Sequence, residues 1–186
     1  MAVVDLEKGP LTFGHRWSSR NVRSHEQWQL SVAQNDCLVD TKDFHVGAVG
    51  AGEVAKLCNN LISGTVAVAV SEAFRIGEAF GVDPQILTSV IAKSSGATWV
   101  MEHMHPVPGI VESAASNRQY APGFMTDLMA KDLALAVNAA REKRVPVVVA
   151  PAAQQLYRMA SSHGLGREDF SAVYKFLKPS SDDAPV

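Results

Sequence analysis

Residues 47–60 read GAVGAGEVAKLCNN, three glycines running into a helix-forming stretch that carries Lys56 and, four positions later, Asn60. An α-helix turns every 3.6 residues, so Lys56 and Asn60 fall on one face, with Ser63 next along it. A lysine and a carboxamide gain little by packing on an otherwise apolar helix, and both suit gripping an oxygen atom of a small substrate. The pattern fits equally a lysine with its head in water and an asparagine satisfied within a core. The glycines fall as G-x-x-G-x-G, the reverse of the dinucleotide-binding G-x-G-x-x-G. No strand of a βαβ unit precedes them, so the segment is not read as a nucleotide loop.

Downstream of this stretch the apolar periodicity is helical throughout. Gly52 to Phe80 is predicted to form one helix of about 40 Å. Its apolar residues (Val54, Leu57, Leu61, Val66, Val68, Val70, Phe74, Ile76, Phe80) occupy most faces. Such a helix belongs in a domain centre or a subunit interface. Gly81 supplies a C-terminal cap, and Asp83 followed by Pro84 starts a second helix that should end near Lys93. Residues 96–123 hold Pro106, Pro108, Gly109, Pro122 and Gly123, and read as a long connection of a kind often functional. Met125 to Arg141 is the cleanest amphipathic helix, with Met125, Leu128, Met129, Leu133, Ala136, Val137 and Ala140 as its stripe. Pro146 is expected to open another helix that stops at Gly164, and a short one runs from about Arg167 to Leu177. The fold class expected is all-α, a helical domain over 44–178 with about five main helices, a long central one, and no Rossmann domain.

The first 43 residues differ from the rest. They are polar, rich in Ser, Gln and Arg, and without sustained periodicity, so residues 1–43 are expected to be an irregular or poorly ordered lead-in. Trp28 to Val32 alternates in the manner of a short strand. Residues 179–186, rich in Pro, Ser and Asp, are expected to form a flexible tail.

Composition removes several function classes. A net charge of −2 gives no electrostatic reason to expect nucleic acid or an anionic membrane as partner. Cys37 and Cys58 have neither disulfide-like nor metal-like spacing. The most apolar run, Leu57 to Val70, is interrupted by Asn59, Asn60, Ser63 and Gly64, so no membrane span is expected. Arg16, Arg20 and Arg23 are offset by Asp5, Glu7 and Glu26, which spoils a transit-peptide reading. His103 and His105 show H-x-H spacing in a proline-bounded segment, with Glu102 the only nearby carboxylate. No third ligand and no H-E-x-x-H are evident, so no metal is expected. Nor is there a G-x-S-x-G elbow for a serine hydrolase.

One further polar pair stands out. Lys131 and Asp132 interrupt the amphipathic helix between Met129 and Leu133, a pattern that fits a solvated polar face. Phe124, seven residues before Lys131, should lie two turns back on the same side, making an aromatic-plus-cation pair.

Together these blocks resemble the C-terminal helical domain of 3-hydroxyisobutyrate dehydrogenases, members of the β-hydroxyacid dehydrogenase family. The resemblance is carried by GAVGAGEVAKLCNN at 47–60, SSGATW at 94–99, HPVPGI at 105–110 and GFMTDLMAKDLALA at 123–136. QLYRMASSHG at 155–164 and DFSAVYKFL at 169–177 complete it. It implies a domain like the C-terminal one of 6-phosphogluconate dehydrogenase-type enzymes. It also implies NAD as cofactor and oxidation of 3-hydroxyisobutyrate to methylmalonate semialdehyde in valine catabolism. Lys56 matches the catalytic lysine, Asn60 the substrate-orienting asparagine, and Lys131 the lysine that approaches the cofactor. Phe124 and Asp132 match positions lining the substrate cleft.

Family members begin with a Rossmann domain, and residues 1–43 contain neither its glycine fingerprint nor the length for its two halves. The resemblance therefore implies a truncated chain that turns over little or nothing alone. A non-catalytic helical dimerisation module, with Lys56 and Lys131 as relics, is an alternative. Another is a reductase of a different short β-hydroxy acid or semialdehyde. The partners implied are a small-molecule substrate and a second copy of the helical domain. The compartment implied is mitochondrial for a eukaryotic chain and cytoplasmic for a bacterial one.

Overall fold

The computed structural model describes residues 3–5, 22–23, 43–45 and 50–178. The candidate strand at 28–32 and the tail at 179–186 lie outside the described residues. The chain divides into two units, Met1–Asn59 and Asn60–Val186.

In the first unit three short strands, β1 (Val3–Asp5), β2 (Val22–Arg23) and β3 (Asp43–His45), make an antiparallel sheet in the order β2-β1-β3. Val3 stands opposite both Arg23 and His45, and Val4 opposite Val22 and Phe44. The described part of residues 1–43 thus holds paired strands.

The second unit is helical. Helix α1 (Ala51–Ala79) begins in the first unit and runs unbroken for 29 residues, as the periodicity predicts. Gly81 follows at φ +70°, where a side chain would be strained, and closes the helix end. Helix α2 (Pro84–Ile91) starts as expected. The Asp83 carboxylate accepts the Gln85 and Ile86 N–H groups at 2.8 and 3.0 Å, and Pro84 opens the first turn.

The connection at 96–123 is not structureless. Thr98 caps a one-turn helix, α3 (Trp99–His103), by accepting the Met101 N–H at 3.2 Å, and a 3₁₀ turn follows at Ala115–Arg118. Helix α4 (Thr126–Glu142) matches the amphipathic segment within a residue at each end. Helix α5 (Val149–Ala160) begins later than Pro146 suggested. Starting at Val149 puts Pro151 in the first turn, where its missing N–H has no partner to lose. A start at Pro146 would have buried Pro151 in the interior at about 3 kcal/mol. A π-helical turn (Ser161–Leu165) continues from Ala160, and Gly164, the expected stop, sits at φ +91°. The expected last helix is split into a 3₁₀ turn (Phe170–Ala172) and one turn of α-helix, α6 (Val173–Phe176).

The core lies along one side of α1. Val70 and Phe74 pack with Met101, Val107 and Tyr174, flanked by Leu87, Ile91 and Ile110. Higher on the same helix, a Cβ at Gly64 would stand 2.6 Å from Met129 Sδ, so glycine is what lets α1 and α4 approach. The wholly buried Tyr157 ties α5 to the same place, its hydroxyl donating to the Gly64 carbonyl at 2.9 Å.

Within this chain α1 keeps one face open. It is not buried all round: Ile62 and Ile76 are 59 and 60 % exposed, with Ala69 and Ala73 open between them, and Phe80 just past its end is 83 % exposed. By length and composition alone, at mean hydropathy 1.3, it is also apolar enough to cross a membrane, despite the interruptions between Asn59 and Gly64. Its inner face is occupied as a core helix's is, by Gly64, Ala67, Val70, Ser71 and Phe74, all buried.

Candidate functional site

Asn60 and Asp132 are 72 residues apart in sequence and meet inside the helical unit, each 3 % exposed. Asn60 Nδ2 donates to Asp132 Oδ2 at 2.6 Å. The other carboxylate oxygen, Oδ1, pairs with Lys131 Nζ at 2.7 Å, and the Lys131 side chain is 56 % exposed. One buried carboxylate thereby links an interior carboxamide to a cation at the surface. Burying a charge costs several kcal/mol unless it is paired and hydrogen-bonded, and both of Asp132's oxygens are. The solvated-face reading of this pair holds for Lys131 and is corrected for Asp132, which lies on the buried side of α4 with Met129, Leu133 and Ala136.

Phe124 does not share a helix face with Lys131. Helix α4 starts at Thr126 behind an extended Met125 (φ −64°, ψ 147°), so helical spacing does not reach back to Phe124. The Phe124 ring is half-buried and packs edge-on to Phe170, centroids 6.3 Å apart. Lys56 is half-buried on α1, one helical turn before Asn60 on the same unbroken element.

The two histidines are apart in role. His105 is fully buried against Phe74 (centroids 4.5 Å), its Nδ1 accepting the Val107 N–H at 3.2 Å and its Nε2 3.2 Å from Thr88 Oγ1. Burial pushes it down to about 4, so the ring is neutral near pH 7. Since Nδ1 accepts, Nε2 carries the proton and donates to Thr88. His103 stacks on Trp99 at 4.7 Å. Both are accounted for as structural groups, and among the described residues no three metal-ligating side chains gather.

Sequence reasoning missed Asp169. It is 1 % exposed; its carboxylate accepts the Phe124 N–H, the Ser171 N–H and the Ser171 hydroxyl at 3.1, 3.1 and 2.6 Å. Burial raises its carboxyl above the usual range, and the bonds from Ser171 and Phe124 pull it back. The D-x-S spacing at 169–171 was the available signal, since an aspartate two residues ahead of a serine is a common local cap.

For a nicotinamide dinucleotide these residues fit one edge. Lys131 offers a fixed, exposed cation with its ammonium anchored, suited to a phosphate or a polar group of the cofactor. Among the described residues β3 precedes the glycines at 47–52 and α1, but it pairs antiparallel in its sheet, unlike the parallel strand that a pyrophosphate cradle of the βαβ kind requires.

The comparisons with known proteins converge. Residues 50–177 match the family model described as NAD-binding of NADP-dependent 3-hydroxyisobutyrate dehydrogenase. The probable mitochondrial 3-hydroxyisobutyrate dehydrogenase of Dictyostelium discoideum is 44 % identical over 171 residues, 92 % of this chain and 51 % of the relative. That span is longer than 44–186, so the similarity takes in part of residues 1–43, which carry none of the motif blocks. The NAD-dependent L-serine dehydrogenase of Pseudomonas aeruginosa is 39 % identical over 74 % of this chain and 46 % of its own. Among solved structures, Mycobacterium tuberculosis 3-hydroxyisobutyrate dehydrogenase with L-serine superposes at TM-score 0.75 and 32 % identity, covering 85 % of this chain and 54 % of that one. The chain thus spans about half the length of the relatives it matches. With the family model covering well over half of its residues, the chain belongs to the 3-hydroxyisobutyrate dehydrogenase family of NAD-dependent oxidoreductases.

Proposed function

We propose that this chain supplies the substrate-orienting and proton-transferring half of an NAD-dependent dehydrogenase that oxidises 3-hydroxyisobutyrate to methylmalonate semialdehyde. The observation that supports it best is the chain Asn60–Asp132–Lys131, two buried groups ending on an exposed cation. Nothing in packing requires an amide, a carboxylate and a lysine in one line through an apolar unit, and a site that must orient a polar substrate does. In this reading the Lys56 amine takes the proton from the substrate hydroxyl as its carbon is oxidised, and returns it in the reverse direction. Asn60 holds the same oxygen in line, its carboxamide set by Asp132. Phe124 lines the cleft, and Lys131 meets the cofactor. NAD, when bound, accepts the hydride. L-Serine is also a β-hydroxy acid, so other short members of that class compete for the same site, and the carboxylate-binding residues that choose among them lie outside these helices.

The cradle for NAD belongs, in this proposal, to a nucleotide-binding domain outside residues 50–177, and the 186-residue chain alone turns over little or nothing. The test is calorimetric titration of NAD into the chain and into Lys131→Ala, with Lys56→Ala assayed for turnover once a nucleotide-binding half is supplied. Binding that weakens in Lys131→Ala and turnover abolished in Lys56→Ala support the reading. Absence of binding at millimolar NAD would remove the cofactor edge from it.

A second reading is favoured by one observation, the apolar stripe Ile62, Ala69, Ala73, Ile76, Phe80 left open on α1. Its 7-, 4-, 3- and 4-residue spacing is that of a helix seam. We propose that it pairs with a second copy of the chain. Sedimentation should give a dimer for the native chain and a monomer for Ile62→Glu/Ile76→Glu; a native monomer rules the pairing out.

A further inference from the structure

Helix α4 carries both Lys131 and Asp132, yet it has no cap of its own. Met125 stands at the N-cap position with no side-chain hydrogen bond. Its first N–H groups are taken instead by a distant segment: Thr126 donates to the Glu168 carbonyl at 2.8 Å and Asp127 to the Gly166 carbonyl at 3.0 Å. The Thr126 hydroxyl adds a bond to the Asp169 carbonyl at 3.3 Å, and one bond runs the other way, from the Phe170 N–H to the Phe124 carbonyl at 2.8 Å. At the centre lies the Asp169 carboxylate, which holds its own segment through Ser171 and the segment leading into α4 through the Phe124 N–H.

We infer that Asp169 is a positioning residue for the Asn60–Asp132–Lys131 chain, acting by fixing where α4 begins and how it is rotated. Asp132 is six residues, about 9 Å, beyond Thr126. A helix is stiff over that length, so a slip or rotation at its start is delivered to Asp132 nearly undiminished. A short hydrogen bond tolerates a shift of only a few tenths of an ångström before it weakens. The functional side of this inference rests on the proposed reading of that chain as substrate-orienting; the positional side does not.

Asp169→Asn tests it. The amide keeps the shape and one acceptor for Ser171, but turns a donor toward the Phe124 N–H. Ser171→Ala removes a bond from the same carboxylate and leaves the Phe124 bond in place. In the full chain, the side-chain amide signals of Asn60 in a ¹⁵N–¹H spectrum should move upfield in Asp169→Asn and stay put in Ser171→Ala. Affinity for 3-hydroxyisobutyrate, followed on the same signals, should fall about tenfold only in Asp169→Asn, the equivalent of one hydrogen bond. A folded Asp169→Asn with native Asn60 signals overturns the inference. Moved signals in a protein whose native form, with a nucleotide-binding half supplied, binds no 3-hydroxyisobutyrate would sustain the positional link and remove the functional reading instead. Should Asp169→Asn not fold, Thr126→Val, which loses only the hydroxyl bond to the Asp169 backbone carbonyl, must shift the Asn60 signals, or docking of this segment does not set α4 and the inference fails.

Discussion

Replacing Asp132 separates what its charge does from what its acceptor geometry does. In Asp132→Ala the buried Asn60 amide loses an acceptor at 2.6 Å, and Lys131 loses its anchor at 2.7 Å. A hydrogen bond to a charged acceptor is worth about 1.5–3 kcal/mol. The Lys131 pair adds little, at most about 1 kcal/mol, because the lysine side chain is 56 % exposed and its charge is screened by water. Removing a desolvated carboxylate returns part of the loss. The net cost expected for Asp132→Ala is about 2–3 kcal/mol, or a fall in Tm of roughly 5–10 °C. Asp132→Asn keeps the shape and lets its carbonyl oxygen accept from Asn60, so it should cost no more than about 1 kcal/mol. Urea unfolding at pH 7 of these two variants, of Asn60→Ala and of the Asn60→Ala/Asp132→Ala double variant closes a mutant cycle. The coupling should be about 1–2 kcal/mol. Equal losses in Asp132→Asn and Asp132→Ala, or a coupling below about 0.5 kcal/mol, would refute the assignment of Asp132 as the acceptor that holds Asn60.

His105 should make stability depend on acid. Its folded value lies near 4 because of burial, below the 6.5 of an exposed ring. The unfolded chain therefore binds the proton first: the contribution is whole above about pH 6.5 and drains away as pH falls toward 4, reaching about 3 kcal/mol. Urea midpoints at pH 7 and 4.5 should differ more in the native chain than in His105→Gln, and equal slopes would refute it. Gly64→Ala should destabilise by about 1–3 kcal/mol, since its Cβ would overlap Met129 Sδ at 2.6 Å. Combining it with Met129→Ala should cost less than the sum of the two single losses, a comparison made by thermal unfolding, and simple additivity would argue against the contact.

The helices were legible wherever a local rule decided them. Asp83 and Pro84 at the start of α2 and Gly81 behind α1 did what their chemistry requires with no help from the rest of the fold. What eluded sequence reading depended on partners far along the chain. The one-turn α3 is held by Thr98 and by its packing of Val100 and Met101, too short for a period to register. The start of α5 was misplaced because Pro146 drew attention from Pro151, and only the second proline limits how early the helix can begin. The helical period does not reach back to Phe124, because another segment supplies the cap of α4 at Thr126.

The site shows the same division more sharply. A lysine and an asparagine one turn apart are visible in 47–60 because both lie on one helix, and helical geometry alone relates them. Asp132 on its own pattern belongs to water: it follows a lysine, and aspartates in amphipathic helices are mostly solvated. It is inside where Asn60, 72 residues earlier, brings a donor to it, four residues before the glycine that permits the approach of α4 to α1. The glycine, the asparagine and the aspartate therefore form one device. Gly64 sets the distance between the helices, and at that distance the buried carboxamide reaches the buried carboxylate at 2.6 Å. Enlarging Gly64 should for that reason weaken the Asn60–Asp132 bond as well as the packing, so the two perturbations are coupled through the spacing of two helices.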